Sequence, residues 1–215
     1  MSRVYDRWPQ IARENFSANF SKVDIKNIDH VVFAGMGGSG TIGDLFASIL
    51  SKTDIHVSVI KGYLLPKTVD SNTLVVTTSI SGNTSETISI LKNVEKVDAK
   101  FVALSSGGIM EKFCMDKKIK YYKIKEEHSP RASFVGFLYS ALNILEQIVP
   151  VKKTDVSESI ESLFNMQKSI SSKNLNETNE ALHNEAETGF SALPGRTISV
   201  RVSRAKCASA LIANA

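Results

Sequence analysis

The sequence lacks the features that mark several classes of protein. No apolar run approaches the roughly 18 residues that a membrane-spanning helix needs, and charged residues surround Trp8 where an export signal would be apolar. The two cysteines, Cys114 and Cys207, form no CxxC pair and no disulfide framework. Proline is scarce, with 5 residues in 215, and no segment is of low complexity. We therefore expect a soluble, cytoplasmic protein with reduced thiols.

An excess of one charge is also missing from most of the chain. The sequence has 26 Lys and Arg residues against 22 Asp and Glu residues. The excess lies entirely within residues 196–215, which hold no acid and four cations: Arg196, Arg201, Arg204 and Lys206. Nucleic-acid-binding proteins normally carry a clustered basic face. We therefore expect neither a nucleic-acid partner nor a membrane partner.

Short β-branched runs alternate with segments of helical periodicity through the first 150 residues. The runs are continuously apolar, which is typical of strands buried on both faces of a parallel sheet. Strands are predicted at residues 30–34, 55–60, 74–78, 101–104 and 119–124, and helices at residues 5–20, 40–50, 85–95 and 108–115 and from Pro130 to near Pro150. The pattern predicts an α/β fold whose five-stranded parallel sheet has one ligand-binding edge at the strand carboxyl ends.

The chain beyond residue 150 has a different amino-acid composition. Residues 152–190 are rich in Ser, Asn, Glu and Lys with sparse apolar positions, which is typical of exposed helices. Residues 197–202 then alternate like a strand, and residues 203–213 have helical spacing. We predict an N-terminal domain over residues 1–150, a helical linker over residues 151–195 and the start of an incomplete second domain over residues 196–215.

A glycine-rich sequence, GMGGSG, covers residues 35–40 directly after the first predicted strand. Glycines let the backbone turn sharply and approach a ligand closely, and the amides at the start of the next helix favour a phosphate. The spacing matches neither the dinucleotide fingerprint nor the Walker loop. A phosphate site and a tightly packed turn both stay open at this point.

A second turn, SISGNTSET at residues 79–87, follows the third predicted strand. Ser79, Ser81 and Thr84 offer three hydroxyl groups, and neutral donors at a helix start can hold a phosphate dianion without lysine. The alternative is ordinary helix capping, which explains Asn83, Thr84 and Glu86 but not the two serines. Because adjacent strand-to-helix turns converge on one edge of a parallel sheet, the two turns together favour a phosphate site.

A third sequence, SPRAS at residues 129–133, begins the long predicted helix. Pro130 is ordinary in a first turn, whereas the helix dipole disfavours a cation such as Arg131 there. Its guanidinium suits an anion or developing oxyanion charge, and a solvated arginine is the alternative.

The remaining candidates have weaker patterns. Gly107 and Gly108 indicate another strand-to-helix turn, which we interpret as structural. The four histidines show no spacing with carboxylates that indicates a metal site. We expect neither a metal nor a cofactor.

Taken in order, GMGGSG, SISGNTSET and SPRAS resemble the SIS (sugar isomerase) domain, and more narrowly the bifunctional phosphoglucose/phosphomannose isomerase family. The SxSGNTxET turn is the most diagnostic part, and the Pro-Arg pair points to this family within SIS proteins. The resemblance covers roughly residues 31–148. It implies a SIS-type three-layer sandwich with a five-stranded parallel sheet, followed by linker helices and a truncated second SIS domain.

The resemblance also implies a reaction and an assembly. In that family two SIS domains form a subunit, and the active site lies between domains and across a homodimer. The implied reaction interconverts glucose 6-phosphate or mannose 6-phosphate with fructose 6-phosphate through an enediolate, without a metal. The family takes its base, a glutamate, from the second domain. Residues 207–215 hold no acid, so we expect this chain to lack that base.

Particular residues receive roles from the same resemblance. Arg131 is implied to lie beside the sugar carbon chain as a catalytic residue, and Gly37 and Pro130 to shape the pocket. The residues implied to contact the sugar phosphate are Gly38, Ser39, Ser79, Ser81 and Thr84. Two other functions stay open: a non-catalytic SIS module that binds sugar phosphates as a sensor or regulator, and an isomerase for another phosphosugar.

Overall fold

In the computed structural model, which describes residues 2–23 and 26–170, five parallel strands form one sheet in the order β2-β1-β3-β4-β5. The strands are β1 (His30–Ala34), β2 (His56–Ile60), β3 (Thr73–Ser79), β4 (Lys100–Ser105) and β5 (Lys120–Lys123). β1 and β3 are buried along their whole length, because helices or loops cover both faces of the sheet. The predicted α/β fold with a five-stranded parallel sheet is confirmed.

Two hydrophobic clusters, one on each face, make the fold a three-layer sandwich. Successive side chains of a strand point to opposite faces, so Val31 and Phe33 belong to one cluster while Val32 and Ala34 belong to the other. Helices α2, α3, α6 and α7 contribute to the first cluster, and α4 and α5 to the second. The helices are α1 (Ser2–Tyr5), α2 (Trp8–Phe16), α3 (Gly38–Leu50), α4 (Ser85–Leu91), α5 (Gly108–Asp116), α6 (Phe134–Ile144) and α7 (Lys153–Ile170), with a 3₁₀ turn at Lys92–Glu95. None of these helices is long and apolar enough to cross a membrane.

Helices α2 and α6 are shorter than the apolar periodicity predicts, and groups distant in sequence bond to the carbonyls at the ends of both. The Asn143 side-chain amide donates to the carbonyl oxygens of Phe16 and Ala18, each at 2.8 Å, just where α2 ends. The backbone carbonyl of Asn143 accepts from Lys22 Nζ at 2.7 Å, and that of Ile144 accepts from Val23 N at 3.4 Å. These long-range bonds use the terminal carbonyls of both helices.

Helix α7 occupies part of the predicted linker. Val156, Ile160 and Leu163 are buried in the first cluster, so one face of α7 packs on the domain and differs from the exposed helix predicted there. The boundaries at residues 150 and 195 stay predictions. The strand and helix predicted within residues 196–215 lie outside the described residues.

Candidate functional site

Three segments meet at the carboxyl edge of the sheet: the glycine turn (residues 35–40), the hydroxyl turn (residues 79–84) and the arginine segment (residues 129–133). β1 and β3 are hydrogen-bonded neighbours, so the turns that follow them lie side by side. A cavity of about 140 Å³ opens between the three segments. The residues that line it are Met36, Gly38, Ser39, Ile80, Ser81, Thr84, Pro130 and Arg131. Of the predicted site residues, all but Gly37 and Ser79 are in this lining.

The glycine turn offers the cavity a side chain. Gly37 has φ 53° and ψ −122°, a conformation that essentially only glycine adopts, and it redirects the backbone into α3. The carbonyl of Met36 accepts from the amides of Ser39 and Gly40 at 3.0 and 3.3 Å, so these donors are used within the turn. The hydroxyl of Ser39 has no hydrogen-bond partner among the described residues, and the residue is 8% exposed. This hydroxyl is therefore available to a ligand in the cavity.

The hydroxyl turn has one buried and two cavity-lining hydroxyls. Ser79 is the last residue of β3 and is 1% exposed. Its Oγ accepts from the Gly82 amide at 3.1 Å and lies 2.8 Å from Thr84 Oγ1. When Ser79 donates in that pair, the hydrogen of Thr84 is free for the cavity. The predicted contact of Ser79 with phosphate stays a prediction, since the described geometry connects Ser79 to the cavity through Thr84.

The capping alternative for the hydroxyl turn is wrong for α4. Thr84 is the residue that precedes α4, and it makes no side-chain capping bond there. Asn83 Oδ1 instead accepts from the amide of Ile109, in the first turn of α5, at 3.0 Å. The Ser81 hydroxyl accepts from the Asn83 amide at 3.3 Å and keeps its own hydrogen for a ligand.

The arginine segment forms a separate turn before α6. Both the amide and the hydroxyl of Ser133 donate to the Ser129 carbonyl, at 3.0 and 2.8 Å, which closes one turn directly before α6, and α6 itself begins at Phe134. Pro130 and Arg131 therefore precede the helix, and their predicted place in its first turn is wrong. Arg131 is exposed at the rim of the cavity. Beneath it, the buried Trp8 indole donates to the Ala132 carbonyl at 2.8 Å.

The cavity is suited to an anion. Arg131 is the one charged residue of the described lining, and the serine and threonine hydroxyls are neutral donors. Sequence reasoning missed Met36 and Ile80, which add an apolar wall; their only signal is their position inside the two turn motifs. The described residues contain no group of three or more His, Cys, Asp or Glu side chains that could hold a metal ion.

A second polar cluster lies at the opposite, amino edge of the sheet. Thr73 Oγ1 donates to Asp70 Oδ1 at 2.9 Å, so it can only accept from His30 Nδ1, 3.4 Å away. His30 Nε2 then accepts from the Ser58 hydroxyl at 2.9 Å. Burial and the nearby His56 ring, 4.8 Å away between centroids, lower the pKa of His30 below 6.5. These polar groups are partnered with one another.

Known proteins match the chain over the region that forms this fold. Residues 24–148 match the SIS domain family. The chain is 37% identical over 133 residues to the bifunctional phosphoglucose/phosphomannose isomerase of Caldicellulosiruptor bescii, a match that covers 61% of this chain and 38% of that protein. It is 26% identical over 176 residues to the D-glucosamine-6-phosphate 4-epimerase of Sulfolobus acidocaldarius, covering 80% of this chain and 56% of that one. The chain thus spans about half or less of the length of these relatives.

Solved structures agree on the fold. The tagatose-6-phosphate ketose/aldose isomerase of Escherichia coli superposes with a TM-score of 0.55 over 78% of this chain and 54% of that one, at 17% identity. At this identity the likeness concerns the fold alone. The family match covers more than half of the residues and contains the whole sheet together with the glycine, hydroxyl and arginine segments, and so the chain belongs to the SIS domain family.

Proposed function

We propose that the cavity binds the phosphate group of a phosphorylated hexose. The observation that carries the proposal is that Ser39 and Ser81, which come from different turns, line one cavity with Thr84 and Arg131. Three hydroxyl donors match the acceptor oxygens of a phosphate dianion, and the guanidinium at the rim adds a favourable positive charge. Hydrogen bonds to a charged group are the strong ones, which suits a small site.

The volume of the cavity is suited to binding one part of the substrate and not the whole sugar. Its volume of about 140 Å³ is below the roughly 300–1,000 Å³ of pockets that enclose a drug-sized ligand. A phosphate and its neighbouring carbon fill such a space, and the rest of the sugar then lies at the open rim. Arg131 occupies that rim, in reach of the carbons that would react.

The proposed reaction is the interconversion of glucose 6-phosphate or mannose 6-phosphate with fructose 6-phosphate, as the family resemblance implies. The Caldicellulosiruptor bescii relative is named a bifunctional phosphoglucose/phosphomannose isomerase. Such an isomerisation moves a proton between C2 and C1 through an enediolate. In this proposal the guanidinium of Arg131 stabilises the developing negative charge. The phosphate contacts position the reacting carbons, which supplies much of the rate enhancement. The proposed step uses no metal.

The base of this reaction has to come from elsewhere. Arg131 is the only charged residue in the described lining, and a guanidinium has no acceptor atom with which to take up a proton. The proposal therefore places the base on a second SIS domain, as the family resemblance implies, within a cytoplasmic homodimer. The same observation favours a second candidate function, a SIS module that binds sugar phosphates without converting them.

Calorimetric titration with fructose 6-phosphate tests the binding proposal. Ser81→Ala removes one hydrogen bond to a charged group, and we expect a loss of about 1–3 kcal/mol in binding free energy. Ser48→Ala is the matched control, because the Ser48 hydroxyl is exposed on α3 and bonds to the Asp44 carbonyl. Equal affinities of wild type and Ser81→Ala would exclude the site.

A turnover assay separates the two candidate functions. Formation of fructose 6-phosphate from glucose 6-phosphate or mannose 6-phosphate by this chain would establish the isomerase. Binding of the phosphosugar without turnover, also when a second SIS domain that carries an acidic residue is supplied, would favour the module.

A further inference from the structure

We propose that Asn83 is a positioning residue for the phosphate site, a proposal that rests on the function proposed above. Asn83 is exposed and is absent from the cavity lining, so it acts through the residues it contacts. Its side chain connects the hydroxyl turn to a third strand-to-helix turn, the diglycine turn (residues 105–109), which follows β4. Asn83 therefore caps α5, the helix that follows β4, and not α4, the helix for which the sequence suggested a cap.

Both polar atoms of the Asn83 side-chain amide make hydrogen bonds. Its Oδ1 accepts from the Ile109 amide at 3.0 Å, and its Nδ2 donates to the Ser81 carbonyl at 3.2 Å. The Asn83 backbone amide adds a bond to the Ser81 hydroxyl at 3.3 Å. Ser81, a cavity-lining residue, is therefore fixed at its carbonyl and at its hydroxyl by a single neighbour.

The hydroxyl and diglycine turns lie in direct backbone contact. The Met110 amide donates to the Gly82 carbonyl at 2.9 Å, and the Ser106 amide donates to the Ile80 carbonyl at 3.0 Å. A Cβ on Gly82 would lie 1.8 Å from the Gly107 carbonyl oxygen, and one on Gly108 would lie 2.7 Å from Asn83 Oδ1. Gly82 and Gly108 therefore have to be glycine for this close approach.

The diglycine turn is itself held from the other side. Ser105 Oγ donates to the Gly107 carbonyl at 2.9 Å and lies 3.0 Å from the Tyr121 hydroxyl on β5. The Ser106 hydroxyl donates to Glu126 at 3.3 Å, shortly before the arginine segment. These bonds fix the diglycine turn, and the Asn83 side chain connects that turn to Ser81.

The expected consequence is preorganisation of the hydroxyl turn. A ligand that binds a turn already in its bound conformation loses less affinity to ordering. Because Asn83 is exposed, its bonds contribute little to global stability. Truncation of Asn83 should therefore reduce ligand affinity much more than it lowers the resistance of the fold to urea.

A double-mutant cycle tests the proposal with fructose 6-phosphate as ligand. We expect Asn83→Ala to weaken binding about tenfold, the size of one such bond. In the Ser81→Ala background the same change should add at most about threefold, because Asn83 acts through Ser81. Asn93→Ala is the matched control, since within the described residues the Asn93 side chain bonds to the Ser89 and Ile90 carbonyls, in the helical segment beyond Asn83. Independent, multiplicative effects of the two changes would overturn the proposal.

Amide hydrogen exchange tests the support without a ligand. Asn83→Ala should speed exchange at Ile109 and Met110, whereas Asn83→Asp, which keeps an acceptor at the start of α5, should preserve the protection of Ile109. If the wild type binds no phosphosugar, the proposed function fails, and this measurement still decides whether Asn83 holds the two turns together. Unchanged exchange in Asn83→Ala would overturn the positioning role.

Discussion

At the amino edge of the sheet, buried polar side chains bond to one another, whereas at the carboxyl edge three hydroxyl-bearing residues, Ser39, Ser81 and Thr84, line a cavity. Thr73 and His30 are both buried and are bonded to Asp70 and to Ser58. Across the sheet, the Ser39 hydroxyl has no hydrogen-bond partner within the described part of the chain. Ser39 lines the cavity, so its hydroxyl is placed to bond to a ligand rather than to another part of the fold. The comparison indicates that the amino edge serves stability, and it agrees with the proposal that the carboxyl edge serves binding.

The largest expected effect tests the backbone contacts at the carboxyl edge. Gly82 has φ 70°, and an added Cβ would lie 1.8 Å from the Gly107 oxygen, so Gly82→Ala should lower the free energy of unfolding by about 3 kcal/mol or more. Gly37→Ala is the control, because Gly37 also has positive φ but has nothing within 4 Å of its Cβ position. Urea denaturation should show the smaller loss for Gly37→Ala. Equal losses would mean that backbone strain alone, without the contact between turns, sets the effect.

A pair of substitutions compares the edges directly. Thr73→Val keeps the side-chain shape but removes the hydroxyl that serves Asp70 and His30, and should destabilise the fold by about 1–3 kcal/mol. Ser39→Ala should change the free energy of unfolding by no more than about 0.5 kcal/mol while weakening fructose 6-phosphate binding. For both variants, urea denaturation measures the free energy of unfolding and calorimetric titration measures the affinity for fructose 6-phosphate. A reversal, with Ser39→Ala the more destabilising, would break the comparison.

The smallest expected effect is a pH dependence of stability at the amino edge. The pKa of His30 is lowered in the folded chain by burial and by His56, so the unfolded chain binds more protons as the pH falls below 6.5. The contribution of His30 to the free energy of unfolding is therefore fully present above pH 6.5 and is lost as the pH falls below it. Urea midpoints should be lower at about pH 5.5 than at about pH 7.5, and His30→Gln should reduce the difference. His128→Gln, at an exposed position, should leave it unchanged.

The fold was predictable because the local sequence of the strands is by itself typical of buried β-strands. β1 coincides with the predicted residues 30–34, since a continuous β-branched run that ends in glycine has few other stable structures. The ends of α2 and α6 were not predictable from local periodicity. They depend on Asn143 and Lys22, whose partners are far away in sequence.

The cavity was partly predictable for a topological reason. Turns after neighbouring parallel strands have to meet, so Ser39 and Ser81 could be expected together. Ser79 lies behind Thr84 because β3 extends one residue beyond the predicted strand and buries it. The partner of the Asn83 side chain, Ile109, depends on how two turns pack, which no local pattern encodes.

The contact beneath the arginine segment gives the molecule an optical reporter. Trp8 is the single tryptophan of the chain, is 4% exposed, and its indole bonds to the carbonyl of the residue next to Arg131. Indole emission responds to the polarity and hydrogen bonding around the ring. Any displacement of this segment when a ligand arrives would therefore alter the intrinsic fluorescence, without a label and at a wavelength that sugar phosphates do not absorb.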